Sequence, residues 1–276
     1  MKASKKTENK NVNIRTKTIP NWCPGCFNFQ ILAGFQNFIE NQLKMGKNRD
    51  DFSIVSGIGC HAKIFDYVNL SGLNSLHGRV LPACLGIKIA KPHQNVFGFS
   101  GDGDCYAEGM EHLIHAARYN SNFKYMVHNN QVFALTIAEP SPVTEKGYRD
   151  KTTPRGVKLA PMNPIKLMIG AGASFVARVF ADVNSVQQIL EEAQKHKGFA
   201  FIEILQPCVI FHADAGYKEK TYNLQKSGHD KTNFKAAMER AEEWDYNGVK
   251  AGTKIPVGIF YQTSKPVFEE LIREEK

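Results

Sequence analysis

The sequence predicts an α/β fold in which a mainly parallel sheet is flanked by helices. Short apolar runs alternate along the chain with segments whose apolar residues recur at helical spacing, as expected when helices connect parallel strands. The chain has 276 residues, 42% of them hydrophobic and 22% charged, which excludes a disordered or collagen-like protein. We therefore expect one large domain or a core with an elaborated end.

Each element is predicted from its own pattern. Apolar residues from Ile31 to Leu43 recur at intervals that place them on one helical face. The predicted helices cover residues 28–44, 107–119, 165–170 and 184–196. Continuous apolar runs predict buried strands at residues 52–56, 95–100, 123–128, 175–180 and 199–205. After residue 208 the alternation ends, and only a last helix near residues 265–275 is predicted.

Three parts of the chain are predicted to differ in structure. Residues 1–20 form a basic, flexible tail, residues 21–208 form the α/β domain, and residues 209–276 form an extension that packs on the core or on a partner subunit. Within the domain, residues 131–157 contain three prolines and many polar residues, which indicates a long loop. Loops of that length are usually functional or mobile.

The charge distribution argues against a nucleic-acid partner. The formal net charge is +8, and six basic residues against one acidic residue give the first 20 positions a net +5. No stripe of interleaved basic and aromatic side chains follows. No apolar run approaches the ~18 residues that span a bilayer, and the opening lacks the apolar core of an export signal. We therefore expect a cytoplasmic protein with no membrane partner.

The most informative segment is GDGD at residues 101–104, where an apolar run ends and a helix begins. In open α/β sheets this position binds phosphates, because glycines allow close backbone approach. A carboxylate there repels a diphosphate unless a hard cation lies between them, and Mg²⁺ prefers carboxylate, carbonyl and phosphate oxygens. Asp102 is therefore a candidate Mg²⁺ ligand. Asn130 ends the next predicted strand, so its amide oxygen should reach the same edge of the sheet.

The six cysteines form a second candidate site. In a chain without an export signal they are expected to be reduced, and metal binding or catalysis is more common than disulfide formation. Four of them lie in CPGC or follow predicted strands, and these are Cys23, Cys26, Cys60 and Cys208. Four thiolates suit zinc or an iron–sulfur cluster about equally. Cys84 and Cys105 lie in apolar surroundings and are expected to be packing residues.

Two sets of motifs resemble a known family. GDG followed about two dozen residues later by Asn-Asn resembles the thiamine-diphosphate signature. A series of motifs over residues 22–208 resembles the β subunit of 2-oxoacid:ferredoxin oxidoreductases, in its short separate-chain form. In chain order these motifs are WCPGC, SGIGC, SLHGR, GDGD, HNNQVFALT, SPV and ILQPC. The resemblance implies a thiamine-diphosphate-binding fold. A redox-capable cofactor nearby favours iron–sulfur over zinc, so residues 21–208 would bind both groups.

The resemblance also implies a set of site residues. One 4Fe-4S cluster would be bound by Cys23, Cys26, Cys60 and Cys208. Mg²⁺ would be held by Asp102, Asn130 and the carbonyl of Val132. Thiamine diphosphate would be contacted by Ile58, Gly59, Cys60, His61, His77, Gly103, Asp104, Ala134 and Leu135. Catalytic roles are implied for His77 and for Lys63, whose ammonium group would face the substrate carboxylate.

The implied activity is the coenzyme A-dependent oxidative decarboxylation of a 2-oxoacid, of the pyruvate or 2-oxoglutarate class, to acyl-CoA and CO₂. Electrons would pass through the cluster to ferredoxin. An α subunit is implied as an obligatory partner, and further γ and δ subunits are left open. Two alternatives account for fewer of these motifs. A non-redox thiamine-diphosphate decarboxylase or carboligase would leave the ordered cysteines without a role. A non-enzymatic binding module stabilised by zinc would leave the GDG turn without a role.

Overall fold

The computed structural model describes residues 12–213 and 216–274. Ten strands are present in this part of the chain: β1 Phe52–Ser56, β2 Ser71–Asn74, β3 Asn95–Gly101, β4 Lys124–Asn129, β5 Val132–Phe133, β6 Glu139–Pro140, β7 Phe175–Phe180, β8 Ala200–Leu205, β9 Thr221–Asn223 and β10 Ile255–Gln262. Eight of them form one sheet in the order β2-β1-β3-β4-β8-β7-β10-β9. Neighbours pair in parallel except β10 with β7, and β5 and β6 form a separate antiparallel ribbon.

Helices cover both faces of the sheet. They are α1 Asn28–Lys44, α2 Val80–Ala90, α3 Asp102–Tyr106, α4 Met110–Tyr119, α5 Pro164–Gly170, α6 Val183–Lys195, α7 Phe234–Glu242 and α8 Phe268–Glu274. Apolar residues of α1 and α6 belong to one buried core, and those of α2, α4, α5 and α7 belong to a second. Successive residues of β3, Val96 and Phe97, point into the two different cores. The predicted α/β class with a mainly parallel sheet is confirmed.

The strongest sequence patterns gave the most accurate element bounds. Helix α1 and strands β1 and β7 begin and end at the predicted residues. Both strands are buried along their whole length, so most of their positions are apolar and the sequence signal is strong. Strand β2 was missed because all four of its residues are exposed and carry no such signal.

The helix predicted over residues 107–119 begins at Met110, and a short separate helix that was not predicted precedes it. Helix α3 ends at Tyr106 and α4 begins at Met110, with Gly109 between them. A Cβ atom on Gly109 would lie 3.0 Å from the carbonyl oxygen of Gly78, so a larger residue here would require a small shift of the backbone around Gly78. The chain after His77 therefore packs closely on the break between α3 and α4.

Both ends of the chain contribute to the core. In the extension, β10 pairs with β7 and β9 pairs with β10, so residues 209–274 add two strands to the main sheet. Sequence analysis missed β10 and α7. Of the predicted tail, residues 1–11 lie outside the described residues, whereas Ile14 is fully buried and its carbonyl accepts a hydrogen bond from Asn69 N. Ile14 therefore packs in the core, within the stretch that the sequence assigned to a tail, whereas Ile19 in the same stretch is exposed.

No helix in residues 12–213 and 216–274 combines the length and apolar character needed to cross a membrane.

Candidate active site

The carboxyl ends of β1, β3 and β4 line a cavity that is partly open to solvent. Every residue that the resemblance assigned to thiamine diphosphate or Mg²⁺ lines it, together with Gly101, His128, Phe133, Thr136 and Gln206. Carboxyl ends of parallel strands are where open α/β sheets bind ligands. The structure therefore brings the predicted residues together, while their individual roles stay predictions.

Asp102 lies at the base of the cavity and is almost fully buried. Its carboxylate accepts a 2.5 Å hydrogen bond from Ser141 Oγ and further hydrogen bonds from backbone N–H groups, including that of Asn130. Burial raises the pKa of Asp102 to about 7, although these hydrogen bonds favour the ionised form. The hydrogen bond from Asn130 joins the GDGD turn directly to the Asn-Asn turn.

The turn after β4 has an unusual backbone conformation. Gln131 has a φ of 61°, in the left-handed region that residues other than glycine rarely adopt. Asn129 Oδ1 accepts a hydrogen bond from Gln131 N at 3.0 Å, and Asn130 Oδ1 accepts one from Val132 N at 3.1 Å. With Gln131 buried behind the turn, Asn130 and Val132 both face the cavity.

Asp104 acts as an anchor between several segments around the cavity. Its carboxylate accepts hydrogen bonds from Gly78 N at 2.7 Å and from Ser100 Oγ, and it lies 3.5 Å from His61 Nε2. Burial opposes ionisation of Asp104, but the hydrogen bond and charge of His61 outweigh it and the pKa is lowered. A Cβ atom on Gly57 would lie 2.1 Å from Asp104 Oδ2, so glycine is required for this contact.

The short ribbon of β5 and β6 covers the GDGD turn from the other side. A Cβ atom on Gly103 would lie 2.2 Å from the ring of Phe133, so this glycine lets the ribbon pack directly on the turn. The Phe133 ring also lies 6.2 Å from that of His77. Ala134 and Leu135 follow at the mouth of the cavity, where Leu135 is half exposed.

The four candidate cluster ligands also converge at this edge of the sheet. Burial raises the pKa of the Cys60 thiol to about 11, and negative charge on Cys26, Cys208 and Cys23 adds to the effect. Burial likewise raises the pKa of Cys26, with contributions from Cys208 and Cys23. Such couplings require the four sulfur atoms to lie near one another. Trp22 Nε1 fixes the arrangement by donating a 2.7 Å hydrogen bond to the carbonyl of Cys60.

A compact site for a single metal ion is not present. Among residues 12–213 and 216–274, no three histidine, cysteine, aspartate or glutamate side chains lie close enough to hold one ion. The predicted Mg²⁺ site needs only one carboxylate, because its other ligands are amide, carbonyl and phosphate oxygens. The four thiols are partly or fully exposed and all unpaired, whereas Cys84 and Cys105 are fully buried, which confirms that these two are packing residues.

Lys63 and His77 occupy different positions relative to the cavity. His77 lines it, with its Nε2 atom 3.8 Å from Asp104 Oδ1. Lys63 is not among the lining residues, but its half-buried ammonium group is close enough to Cys60 to favour the thiolate form of that residue. Of the two predicted catalytic residues, only His77 faces the cavity directly.

Sequence analysis missed several polar residues of the site. His128 is the next-to-last residue of the buried strand β4, lines the cavity and has an Nε2 atom without a hydrogen-bond partner among the described residues. Burial and the charge of nearby His61 hold the pKa of His128 well below its usual range. Its Nδ1 atom lies 2.7 Å from Oδ1 of Asn28, whose backbone and side chain favour the thiolate of Cys26. A histidine directly before Asn-Asn at the end of a strand was the available signal.

The comparisons agree with this geometry. Residues 57–204 match a family model described as the C-terminal TPP binding domain of thiamine pyrophosphate enzymes, and residues 212–276 match one described as the C-terminal part of the pyruvate ferredoxin oxidoreductase beta subunit. The chain is 36% identical to the beta subunit of 2-oxoacid:ferredoxin oxidoreductase 1 from Aeropyrum pernix, across 95% of this chain and 84% of that protein. The chain belongs to the β subunits of the 2-oxoacid:ferredoxin oxidoreductases.

Other relatives of this β-subunit family extend the comparison. A 2-oxoglutarate synthase subunit of Methanocaldococcus jannaschii is 33% identical over 93% of each chain. A solved 2-oxoglutarate:ferredoxin oxidoreductase from Magnetococcus marinus has a TM-score of 0.87 and 31% identity, across 98% of this chain and 91% of that one. That structure contains bound 2-oxoglutarate, coenzyme A and succinyl-CoA. The predicted fold, family and thiamine-diphosphate-binding domain are thereby confirmed, and the chain is one subunit of an oxidoreductase.

Proposed function

We propose that this β subunit, together with an α subunit, converts a 2-oxoacid and coenzyme A into acyl-CoA and CO₂. The electron pair released leaves through one 4Fe-4S cluster to ferredoxin. The observation that carries the proposal is the convergence of Asp102, Asn130 and Val132 on one cavity whose wall also contains Cys60, one of four neighbouring thiols. A diphosphate–metal anchor and an electron acceptor are thus supported at the same edge of the sheet.

The residues present fit Mg²⁺ and thiamine diphosphate. Asp102 offers a buried carboxylate, Asn130 an amide oxygen and Val132 a backbone carbonyl, which is the oxygen donor set that Mg²⁺ prefers beside a phosphate. Thiamine diphosphate, when bound, supplies the electron sink that allows CO₂ to leave the 2-oxoacid. The chain itself positions the metal ligands, and Asp104 orients His61 while holding the Gly78 backbone in place.

The four thiols fit a 4Fe-4S cluster. Cys23, Cys26, Cys60 and Cys208 supply the four sulfur ligands that such a cluster takes, and all are unpaired. Cys60 also lines the cofactor cavity, so a cluster there adjoins the reacting centre. Cys23 is exposed, which would give an external electron acceptor access to the cluster. The six free cysteines further favour a reducing compartment, and we propose a cytoplasmic location.

An α subunit is expected to close the cavity. Exposed apolar side chains surround or adjoin its mouth, and Ile58, Leu135 and Ile137 are each 43–49% exposed. Contiguous apolar surface of this kind is typical of protein interfaces. The relatives are named as subunits, in agreement with a site shared between chains. The isolated chain is therefore expected to show no turnover.

The closing experiment is an anaerobic reconstitution with Mg²⁺, thiamine diphosphate and the partner subunit. Reduction of ferredoxin or a viologen dye should depend on both coenzyme A and a 2-oxoacid, and a panel from pyruvate to 2-oxoglutarate identifies the substrate. The β subunit alone, assayed in parallel, is the control. Stoichiometric zinc without iron would contradict the proposed cluster. Decarboxylation without dye reduction would favour a non-redox enzyme. Full turnover by the isolated chain would contradict an active site shared with the α subunit.

A further inference from the structure

Four residues from distant parts of the chain form a closed hydrogen-bonded circuit behind the turn that presents Asn130. Asn129 Nδ2 donates to Glu203 Oε1 at 2.8 Å, and the hydroxyl of Tyr246 donates to Glu203 Oε2 at 2.6 Å. The carbonyl of Tyr246 accepts a 3.1 Å hydrogen bond from Gln131 Nε2. Gln131 N donates to Asn129 Oδ1 at 3.0 Å, which closes the circuit.

The circuit is sealed from solvent and internally charge-balanced. Asn129, Glu203 and Tyr246 are fully buried, and Gln131 is 1% exposed. Arg178 Nε lies 2.8 Å from Glu203 Oε2, and its guanidinium group packs over the Tyr246 ring at 4.9 Å. A buried ion pair contributes little net stability compared with apolar packing, so its placement directly behind the cavity calls for another explanation.

The circuit acts on the backbone that carries the metal ligands. Two of its four hydrogen bonds end on Gln131, the residue held at a φ of 61°. That conformation is costly for a residue other than glycine and persists only when surrounding contacts enforce it. Because Gln131 stands between Asn130 and Val132, its conformation sets the direction of both ligands.

We propose that Tyr246, in the C-terminal extension, is a positioning residue for the Mg²⁺-binding turn. The inference rests on the proposed function of Asp102, Asn130 and Val132 as the Mg²⁺ site. Groups that orient metal ligands without touching the metal typically alter affinity by 10–100-fold when they are removed. The C-terminal extension thus contributes to cofactor binding through a residue that does not line the cavity.

Two substitutions break the circuit at different links. Tyr246→Phe removes the hydroxyl that donates to Glu203 and accepts from Arg178 Nη2, and keeps the ring over Arg178. Gln131→Met removes the hydrogen bonds from Gln131 Nε2 to the carbonyls of Tyr246 and Val143, and keeps a side chain of similar size. The matched control is Tyr217→Phe, because Tyr217 is equally buried in the same apolar core and its hydroxyl has no hydrogen-bond partner among the described residues.

The purified complex is titrated with thiamine diphosphate by calorimetry at several Mg²⁺ concentrations, and thermal unfolding without cofactor is recorded. At limiting Mg²⁺ we expect the Kd to rise about tenfold in Tyr246→Phe and Gln131→Met, to converge on the wild-type value at saturating Mg²⁺, and to stay unchanged in Tyr217→Phe. Unchanged affinity in both test variants, or a loss independent of Mg²⁺, would overturn the proposal. Absence of Mg²⁺-dependent binding in the wild type would instead contradict the proposed function.

Discussion

The two ends of the sheet bury charged groups of opposite sign. At the amino end of β4, Lys124 Nζ donates to Asn122 Oδ1 at 2.7 Å and to the carbonyl of His196 at 3.1 Å. The neighbouring Lys88 Nζ donates to the carbonyl of Gln94 and lies 3.8 Å from Glu269. At the carboxyl end of the same strands the buried groups are the carboxylates of Asp102 and Asp104, and the partly exposed candidate cluster thiols lie beside them.

The difference indicates which end serves the fold and which serves the chemistry. Each buried ammonium group at the amino end has oxygen acceptors within this chain, and Glu269 holds α8 in place through Asn122 N. Burial disfavours the charged form at both ends, and at the amino end it lowers the pKa of Lys124 and of Lys88. At the carboxyl end it raises the pKa of Asp102 and of Cys60, so their negative charge is unfavourable in this chain alone. A cationic metal centre would remove that penalty, so the carboxyl end is suited to bind one.

The largest effect is expected from the cysteines. Cys60→Ser removes one of four proposed cluster ligands, so iron in anaerobically purified protein should fall from about four per chain to near zero, with loss of absorbance near 400 nm. Cys84→Ser is the matched control, because Cys84 is fully buried in the second core and away from the cavity. Normal iron content in Cys60→Ser would remove the cluster from this edge of the sheet.

The next effect concerns the carboxylates at the two ends. Asp102→Ala should weaken thiamine-diphosphate binding by about 100-fold in calorimetric titration, because it deletes a proposed direct Mg²⁺ ligand. Removal of a group that only orients a metal ligand already lowers metal affinity by about 10–100-fold. The unfolding temperature without cofactor should change less than the affinity, because removal of a buried charge partly offsets the hydrogen bonds lost from Ser141 and from the Asn130 backbone. Glu269→Gln should give the reverse pattern, with lower stability and unchanged affinity. Equal affinity losses in the two variants would break the contrast between the two ends.

The candidate Mg²⁺ and diphosphate residues could be proposed from sequence, because chemistry restricts their residue types. A diphosphate beside a strand end requires glycine, a metal next to it requires oxygen donors, and GDGD with Asn130 satisfies both requirements within a single stretch of chain. Buried parallel strands were equally predictable, because both of their faces have to be apolar.

The supporting residues were not predictable, because their roles depend on contacts between distant segments. Glu203 lies inside an apolar strand and Tyr246 in a region without a recognisable pattern, and only the fold brings them within 2.6 Å. His128 was hidden for the same reason, since one histidine in a buried strand resembles a structural residue. Strand β10 contains a proline and a glycine and follows no helix with a clear pattern, so its place in the sheet also required the structure.

A smaller effect is expected at Lys63. If its ammonium group donates to the substrate carboxylate, Lys63→Ala removes a charge-assisted hydrogen bond typically worth ~1.5–3 kcal/mol and should raise the KM for the 2-oxoacid roughly tenfold or more. Thiamine-diphosphate affinity should stay unchanged. The exposed Lys91, between α2 and β3, provides the control Lys91→Ala. Because Lys63 does not line the cavity of this chain, identical steady-state kinetics in the two variants would assign it to the surroundings of Cys60 alone.

The smallest effect is a pH dependence at the amino end. Burial, followed by repulsion from Lys88, lowers the pKa of Lys124 to about 7, whereas a lysine in an unfolded chain titrates near 10.4. Between these values the unfolded state binds more protons than the folded state, so this group makes the free energy of unfolding rise with pH. Below pH ~7 both states are protonated, and its contribution to the slope disappears.

The variant Lys124→Met isolates this contribution, because it keeps the length of the side chain and removes the titrating group. Urea unfolding between pH 7.5 and 8.5 should show the wild type gaining stability relative to the variant by about 1 kcal/mol over that unit, close to the limit of 1.36 kcal/mol for a single group. Exposed Lys91→Met should follow the wild-type curve. Parallel curves for wild type and Lys124→Met would mean that the hydrogen bonds to Asn122 and His196 stabilise the ammonium group as strongly as water does. The buried charge at the amino end would then cost no stability.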